Sequence, residues 1–409
     1  MLNLTKNNIL AIITFWLAFL STSTLAKKAE GLALTPPMGW NSWNHYHCEG
    51  INEDIIKKQA DAMVTSGMKD AGYEYIIIDD CWHGQRDDNG KITADKNKFP
   101  SGMKALADYI HAKGLKFGIY SDAGTKTCAG RPGSRGYEFI DAKTYAEWGV
   151  DYLKYDWCYH GKQLAEPSYT TMSEALALTG RPILFSLCEW GQSMPWTWAA
   201  EVGHMWRTTG DIINCFDCVN NGWGFGVLAI LDQQREIRKF VQPGQWNDMD
   251  MLEVGNGVLT YEENKTHFSM WSMLASPLIS GNDLSNMSPE TIEILTNKEI
   301  IALNQDELGI AAIPWRNYGD LEVWFKPLKN GDYALAFMNR SKAPYSLNWS
   351  FKGLNVFDVD DREGWKSYTF DHDYIVRDLW QHKVIAKSGE VIMKELKPRE
   401  TLVVRLIKQ

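Results

Sequence analysis

The stretch Tyr75-Ile-Ile-Ile-Asp-Asp-Cys-Trp82 begins with four apolar residues and then turns acidic. Its first half lacks the polar alternation of a half-exposed antiparallel strand, so it predicts a parallel strand covered by helices on both faces. The acidic pair follows at the carboxyl end of that strand, where parallel α/β folds bind their ligands. Seven other runs have the same character: Pro37–Trp43, Lys116–Asp122, Val150–Trp157, Ile183–Trp190, His204–Asp211, Gly244–Met251 and Ser276–Asp283.

Helical patterns separate these eight runs. Eight strands that alternate with helices are the number that a closed barrel requires. The alternative is an open doubly wound sheet, but no Gly-x-Gly-x-x-Gly fingerprint follows the first strand. The sequence therefore predicts an α/β fold with a TIM (β/α)8 barrel over residues 27–308. Two helical faces support it: Ile56, Ala60, Met63 and Val64, then Met103, Leu106, Ala107 and Ile110, with Gly114 placed to end the second helix.

After Gly309 the sequence changes to alternating strands without helical stretches, separated by Gly, Asn and Pro turns. This pattern predicts a C-terminal antiparallel β-sandwich over residues 309–409. Its acidic residues are scattered rather than placed at strand ends, so we expect it to be accessory. The predicted strands are Leu321–Phe325, Tyr333–Asn339, Tyr345–Phe351, Glu390–Met393 and Thr401–Ile407.

Residues 1–26 have the features of a signal peptide. Lys6 precedes an apolar run from Ile9 to Leu20, and small residues follow up to Ala26. An uncleaved anchor is the alternative, but the run is too short to span a bilayer. We therefore predict an exported protein, periplasmic or secreted, with no membrane contact after cleavage.

The net charge indicates which partners are excluded, and the cysteine content indicates which disulfides to expect. The formal net charge is −9 and no basic cluster is present, which argues against nucleic acid as a partner. Seven cysteines lie in the exported part, where disulfides persist, and an odd number leaves at least one free. Cys215 and Cys218 form the single Cys-x-x-Cys, without the second pair of a zinc site, so we expect a local disulfide there.

Residues at the carboxyl ends of barrel strands should face one shared cavity. Lys154 and Asp156 are two positions apart on one strand, so both side chains point to the same side. A neighbouring cation would keep Asp156 ionised, as a nucleophile requires. The full set of strand-end residues is Trp43, Asp79, Asp80, Tyr120, Asp122, Lys154, Asp156, Glu189, Trp190, Arg207, Asp211, Asp248, Asp250 and Asp283.

Asp211 follows Arg207 after Thr-Thr-Gly, on the loop beyond the sixth strand. Close to other carboxylates and an aromatic wall, it could stay protonated enough to donate. Glycoside cleavage needs one carboxylate that attacks the anomeric carbon and another that protonates the leaving oxygen. We therefore predict Asp156 as nucleophile and Asp211 as acid/base, with no metal and no cofactor.

Three other interpretations of these residues remain. A single strand-end aspartate commonly caps the following helix, but caps need neither the adjacency of Asp79 and Asp80 nor an inward lysine. Acidic barrels also bind magnesium, but Lys154 would compete with the cation, as would Arg207. For aromatic residues such as Trp43 the alternative is plain core packing.

Nine motifs resemble those of the α-galactosidases of glycoside hydrolase family 27, and they extend over nearly the whole chain after residue 26. Jointly they are highly specific, whereas one alone would be weak evidence. They are Pro36-Pro-Met-Gly-Trp-Asn-Ser-Trp43, Ile78-Asp-Asp-Cys-Trp82, Gly118-Ile-Tyr-Ser-Asp122, Cys128-Ala-Gly130, Leu153-Lys-Tyr-Asp-Trp-Cys158, Cys188-Glu-Trp190, Trp206-Arg-Thr-Thr-Gly-Asp211, Trp246-Asn-Asp-Met-Asp-Met251 and Asn304-Gln-Asp306.

The resemblance implies hydrolysis of terminal α-linked galactose with retention of configuration, by a barrel that carries a C-terminal sandwich. Asp156 corresponds to the family's nucleophile and Asp211 to its acid/base. The implied sugar contacts are Asp79 and Asp80 at O6 and O4, Trp43 beneath the ring, Lys154, Arg207 and Asp250 at O2 and O3, and Tyr120, Cys188, Trp190 and Met251 as further walls. The implied disulfides are Cys48–Cys81 and Cys128–Cys158, which would leave Cys188 free.

The chain departs from the family pattern in two places. Met249 replaces a proline that is common in the Asn-Asp-Pro-Asp run, and the Asn214–Trp223 insertion follows directly on Asp211. We expect the insertion to reshape the region that receives the leaving group. The expected partner is therefore an α-galactoside oligosaccharide or polysaccharide.

Three other functions fit parts of this sequence. An α-N-acetylgalactosaminidase needs room beside C2, which Glu189 and Trp190 would crowd. A β-L-arabinopyranosidase usually lacks the first acid of the Asp79–Asp80 pair, and Asp79 is present. A catalytically silent sugar-binding protein belongs to a different functional class. It would not need the two catalytic carboxylates, and both are present here.

Overall fold

The computed structural model describes residues 28–360 and 364–409. The predicted signal peptide, residues 1–26, lies outside these residues. Each of the eight predicted runs contains one strand of a single parallel sheet. The strands are β1 (Met38–Asn41), β2 (Tyr75–Ile78), β3 (Lys116–Asp122), β4 (Tyr152–Asp156), β5 (Leu184–Cys188), β6 (Met205–Arg207), β7 (Trp246–Asp248) and β8 (Leu278–Ser280).

The sheet closes on itself. Its order is β7-β6-β5-β4-β3-β2-β1-β8, and every neighbouring pair is parallel. The segment after β7 joins β8, because Leu252 pairs in parallel with Ser280 and its N–H donates to the carbonyl of Ile279 at 2.7 Å. The prediction of a TIM barrel is therefore confirmed.

Helices alternate with the barrel strands. They are α1 (Trp43–Tyr46), α2 (Glu53–Thr65), α3 (Met68–Ala71), α4 (Gly102–Ala112), α5 (Glu138–Trp148), α6 (Ala165–Leu178), α7 (Val227–Ile237), α8 (Tyr261–Met273), α9 (Pro289–Leu295) and α10 (Lys298–Asn304). The short α1 follows the end of β1 and carries Trp43. The predicted faces of α2 and α4 are buried, except that Val64 is exposed. Val64 lies in the last turn of α2, at the edge of the apolar face.

Within residues 309–360 and 364–409, ten antiparallel strands form the C-terminal sandwich. The six-stranded sheet has the order β9-β10-β11-β18-β15-β16, and the pairs β12-β17 and β13-β14 lie outside it. The strands are β9 (Ile313–Asn317), β10 (Leu321–Pro327), β11 (Tyr333–Asn339), β12 (Tyr345–Ser350), β13 (Asn355–Asp360), β14 (Gly364–Thr369), β15 (Tyr374–Asp378), β16 (Lys383–Lys387), β17 (Val391–Leu396) and β18 (Thr401–Lys408). All five predicted runs are strands, and the other five strands were missed.

Alternating residues of the six-stranded sheet face opposite partners. Trp324 and Ala336 belong to the large core that fills the barrel, whereas Val323, Phe325 and Phe337 belong to the separate core inside the sandwich. Strand β10 is therefore buried along its whole length, and its charged residues Glu322 and Lys326 are buried with it.

The structure forms three disulfides, Cys48–Cys81, Cys128–Cys158 and Cys215–Cys218, and Cys188 is a buried free thiol. Within residues 28–360 and 364–409, every helix is too short or too polar to cross a bilayer.

Candidate active site

A cavity of about 490 Å³ opens where the barrel strands end. Because the strands are parallel and the barrel is closed, their carboxyl ends meet there. Twelve residues predicted from the sequence line it: Trp43, Asp79, Asp80, Tyr120, Lys154, Asp156, Cys188, Trp190, Arg207, Asp211, Asp250 and Met251.

Asp156 ends β4 and is buried inside the cavity. The hydroxyl of Tyr120 donates to its Oδ2 at 2.7 Å, and the N–H of Trp157 donates to its Oδ1 at 3.0 Å. Burial raises the pKa of Asp156 to about 6, opposed by the charge of Lys154 and by the Tyr120 hydrogen bond. The carboxylate is thus fixed in position and poorly solvated, which suits a nucleophile.

Lys154 contacts a different carboxylate from the one that its sequence position indicated. Its Nζ lies 2.8 Å from Oδ2 of Asp79, an oxygen that also accepts from Asn41 Nδ2 at 2.7 Å. Burial acts to lower the pKa of Lys154, but the surrounding acids, Asp79 foremost, hold it well above its usual value. Lys154 therefore stays charged and acts on Asp156 through the field in the cavity rather than by contact.

Asp80 is held by backbone donors. Its two carboxylate oxygens accept from the N–H groups of Cys81 at 2.6 Å and Ala129 at 2.8 Å. Burial is the largest influence on Asp80 and raises its pKa. Because Cys81 and Cys128 are both in disulfides, the backbone that grips Asp80 is covalently tied down on two sides.

On the opposite side, Arg207 ends β6 and binds two carboxylates. Its Nη2 lies 2.8 Å from Asp250 Oδ2 and 3.0 Å from Asp211 Oδ1. Asp250 is buried and also accepts from the N–H of Ile212 at 2.7 Å. Asp211 is different, because 66% of its side chain is exposed at the mouth of the cavity.

Asp211 belongs to a short strand rather than to a loop. Asp211–Ile212 pairs in parallel with Gly224–Phe225, which closes the insertion that follows it. The sequence offered no signal for so short a strand.

Three lining residues were missed by the sequence reasoning: Asn44, Cys128 and Ile212. Asn44 lies on α1, one residue beyond Trp43, and its Nδ2 donates to Glu253. Cys128 lies on a loop that its disulfide brings against the end of β4, and its Sγ is 3.2 Å from Asp156 Oδ2. Tracing strand ends alone does not find residues that loops deliver.

A group of acids and sulfurs that resembles a metal site lies beside the cavity: Asp122, Cys128, Asp156 and Cys158. Cys128 and Cys158 are joined in a disulfide, so they supply no thiolate ligands. Asp122 accepts from the N–H groups of Gly124 and Cys158. The group therefore lacks the ligands that a transition metal prefers, and its two carboxylates are engaged by the protein.

Comparison with known proteins agrees with this geometry. The family model described as alpha galactosidase A matches residues 35–306, and the model of its C-terminal β-sandwich domain matches residues 318–406. The chain belongs to the α-galactosidases of glycoside hydrolase family 27. Alpha-galactosidase A of Cellvibrio japonicus is 55% identical, over 94% of this chain and 95% of that protein.

Solved structures of this family have the same architecture. α-Galactosidase I of Mortierella vinacea has a TM-score of 0.86 and 38% identity, over 93% of this chain and 98% of that one. The Saccharomyces cerevisiae α-galactosidase determined with raffinose has a TM-score of 0.85 and 32% identity, over 93% and 99% of the two chains.

Glu189 does not line the cavity of this family member, contrary to the prediction. Its neighbour Cys188 ends β5 and faces the cavity, whereas Glu189 begins the loop that follows and turns toward that loop. The Glu189 carboxylate instead accepts from the N–H of Ser193 at 2.7 Å and from its hydroxyl at 2.9 Å. Glu189 therefore does not crowd an acetamido group at C2, whereas Trp190 lines the cavity and can do so.

Proposed function

We propose that this glycoside hydrolase removes terminal α-galactose by double displacement, with Asp156 as nucleophile and Asp211 as acid/base. The observation that carries the proposal is that one enclosed cavity holds both carboxylates in different surroundings. Asp156 is buried and hydrogen-bonded at the inner end, whereas Asp211 is exposed at the mouth. A buried acid suits attack on the sugar, and an acid at the mouth can reach the leaving oxygen and then water.

In the first step, an oxygen of Asp156 forms a bond to the anomeric carbon while the bond to the leaving oxygen breaks. Asp211 gives its proton to that oxygen from the carboxylate oxygen that does not accept from Arg207. Arg207 fixes the other oxygen at 3.0 Å, which orients the carboxyl. The product is a galactosyl ester on Asp156 and a free alcohol.

In the second step, Asp211 takes a proton from a water molecule, and the resulting hydroxide attacks the anomeric carbon. The ester bond to Asp156 breaks and the α configuration is restored. Tyr120 donates to Asp156 at 2.7 Å, so it stabilises the charge that returns to the carboxylate when the ester breaks.

The remaining carboxylates and cations of the cavity are proposed to bind the galactose hydroxyls. Asp79 and Asp80 would accept from O6 and O4, and the Lys154, Arg207 and Asp250 group would bind O2 and O3. Asp79 is already fixed by Asn41 and Lys154, so its acceptor geometry is set before the sugar enters.

A panel of chromogenic substrates tests this proposal. We expect p-nitrophenyl α-galactoside to be hydrolysed about 100-fold more efficiently than the α-N-acetylgalactosaminide or the β-L-arabinopyranoside. Asp79 provides a partner for the hydroxymethyl group that the arabinopyranoside lacks, and Trp190 crowds the acetamido group of the other substrate. A preference for either alternative substrate would reverse the assignment. Release of no chromophore from any of them would indicate a sugar-binding protein instead.

The pKa of Asp156 predicts the acid limb of the pH profile. Burial raises that pKa to about 6, and only the ionised carboxylate attacks. As the pH falls through about 6, the ionised fraction decreases, so kcat/KM should fall in proportion. Tyr120→Phe removes a hydrogen bond that favours the ionised form, so its acid limb should move to higher pH.

Tyr159→Phe is the matched control for this change, because Tyr159 is exposed and lies outside the cavity lining. Its pH profile should match that of the unmodified enzyme. An acid limb that stays in place, or moves to lower pH, in Tyr120→Phe would contradict the proposed titration of Asp156.

Export and the domain limits are also proposals. Disulfides persist outside the reducing cytosol, so the three cystines support removal of residues 1–26 as a signal peptide. The proposed catalytic barrel covers 27–308 and the sandwich 309–409.

A further inference from the structure

The insertion after Asp211 lies outside the cavity lining but is built into the same small sheet as Asp211. Gly224 pairs directly with Asp211, and Val219–Asn220 adds an antiparallel third strand. A Cβ added to Gly210 would lie 2.5 Å from the carbonyl oxygen of Trp223, so glycine is required at 210 for this close approach. Trp223 is therefore held within one position of the residue that pairs with Asp211.

The Trp223 side chain continues the cavity wall outward. Its indole is 59% exposed, and its ring centroid lies 5.8 Å from that of Trp190 at an interplanar angle of 86°. Trp190 lines the cavity, whereas Trp223 does not. The two rings thus form a right-angled corner that begins inside the site and ends outside it.

We propose that Trp223 binds the first sugar of the leaving group and so determines which galactosides are cleaved. The inference rests on the proposed function, in which galactose fills the cavity and the leaving oxygen faces Asp211 at its mouth. The sugar attached to that oxygen must then lie outside the cavity on the Asp211 side, where the exposed indole stands. A flat aromatic surface suits the C–H face of a pyranose ring.

The C-terminal sandwich holds this binding surface in place. Arg399 lies in the turn between β17 and β18, and its Nη2 is 2.7 Å from Oδ2 of Asp217 in the insertion. The same guanidinium lies 5.3 Å from the ring centroid of buried Phe216. On the barrel side, Asn214 Nδ2 donates to the carbonyl of Asn256 at 2.8 Å. Arg399 is therefore a positioning residue for Trp223.

Two substrates with different leaving groups test Trp223. Raffinose places a sugar against the proposed surface, whereas the fluoride of α-galactosyl fluoride is too small to reach it. In Trp223→Ala, kcat/KM for raffinose should fall about tenfold, equivalent to ~1.4 kcal/mol, while the fluoride reaction stays within about twofold. Trp223→Phe should recover part of the loss, and Trp365→Ala, which removes an exposed tryptophan of β14, should change neither rate.

Equal losses with both substrates, or no loss with raffinose, would overturn the role of Trp223 and leave the proposed function intact. Failure of the unmodified enzyme to release fluoride would overturn the proposed function itself.

The positioning role of Arg399 is tested from the loop side, where the fold is least disturbed. Asp217→Asn should raise KM for raffinose about threefold with kcat little changed, and should leave the fluoride reaction unaltered. Asp217→Glu should restore the KM. Glu299→Gln is the matched control, because it removes another barrel–sandwich ion pair, Glu299 with Arg377 at 2.7 Å, far along the chain from the insertion. An unchanged KM in Asp217→Asn, or the same rise in Glu299→Gln, would refute the coupling.

Discussion

Asp156→Asn is expected to lower kcat by about four orders of magnitude or more, because the amide cannot attack the anomeric carbon. The variant should fold normally, since the amide has the size of the carboxylate: its oxygen can accept from the N–H of Trp157, and its NH2 group can donate to the hydroxyl of Tyr120. Added azide should restore part of the turnover and release β-galactosyl azide, because azide attacks once from the vacated side. Product stereochemistry by proton NMR checks this.

Asp283→Asn is the matched control for the nucleophile variant. Asp283 also follows a barrel strand, but it lies outside the cavity lining and accepts from Ser285 and Gln59. It should retain nearly full activity. Unimpaired hydrolysis by Asp156→Asn would exclude the nucleophile assignment.

Asp211→Asn is expected to act according to the leaving group. For raffinose, whose leaving oxygen needs a proton, kcat/KM should fall about 10²- to 10⁴-fold. For α-galactosyl fluoride the loss should be small, because fluoride leaves without full protonation. We use kcat/KM for this comparison because it reports the first step, in which the leaving group departs, and not the later hydrolysis of the ester.

Asp217→Asn again serves as a control, because it changes an exposed carboxylate of the neighbouring insertion without removing the acid. Its effect should be far smaller than that of Asp211→Asn on raffinose. A uniform loss across all leaving groups in Asp211→Asn would count against the assignment of the acid.

The barrel and most of its cavity could be predicted from the residues at the ends of the strands. Parallel strands covered on both faces are apolar and short, so the acidic or aromatic residue that ends each one stands out. Asp79, Asp156 and Arg207 are found in this way. Glu189 could not be excluded in the same way, because it lies just beyond the end of its strand, where adjacent residues such as Asp79 and Asp80 both face the cavity.

Contacts made in three dimensions could not be predicted from spacing. Lys154 lies two positions from Asp156 in sequence, yet its ammonium contacts Asp79, which follows β2, two strands away. Asn44 and Cys128 reach the cavity from a short helix and from a loop held by a disulfide. Neither has a periodic pattern.

The missed sandwich strands have a similar cause. The edge strands β9, β14 and β16 are partly exposed and polar, so their hydrophobic alternation is weak. The central strands β10 and β11 are buried along nearly their whole length and were predicted. Strand β15 is an exception, because it lies inside the sheet with regular alternation of buried residues and was still missed.

The stereochemistry of the first product tests the central claim most directly. Proton NMR that follows α-galactoside hydrolysis from the first minutes distinguishes the anomeric protons before mutarotation mixes them. Two successive displacements at one carbon, by Asp156 and then by water, predict that α-galactose appears first. If β-galactose appears first, a single displacement has occurred, and Asp156 does not form a covalent intermediate.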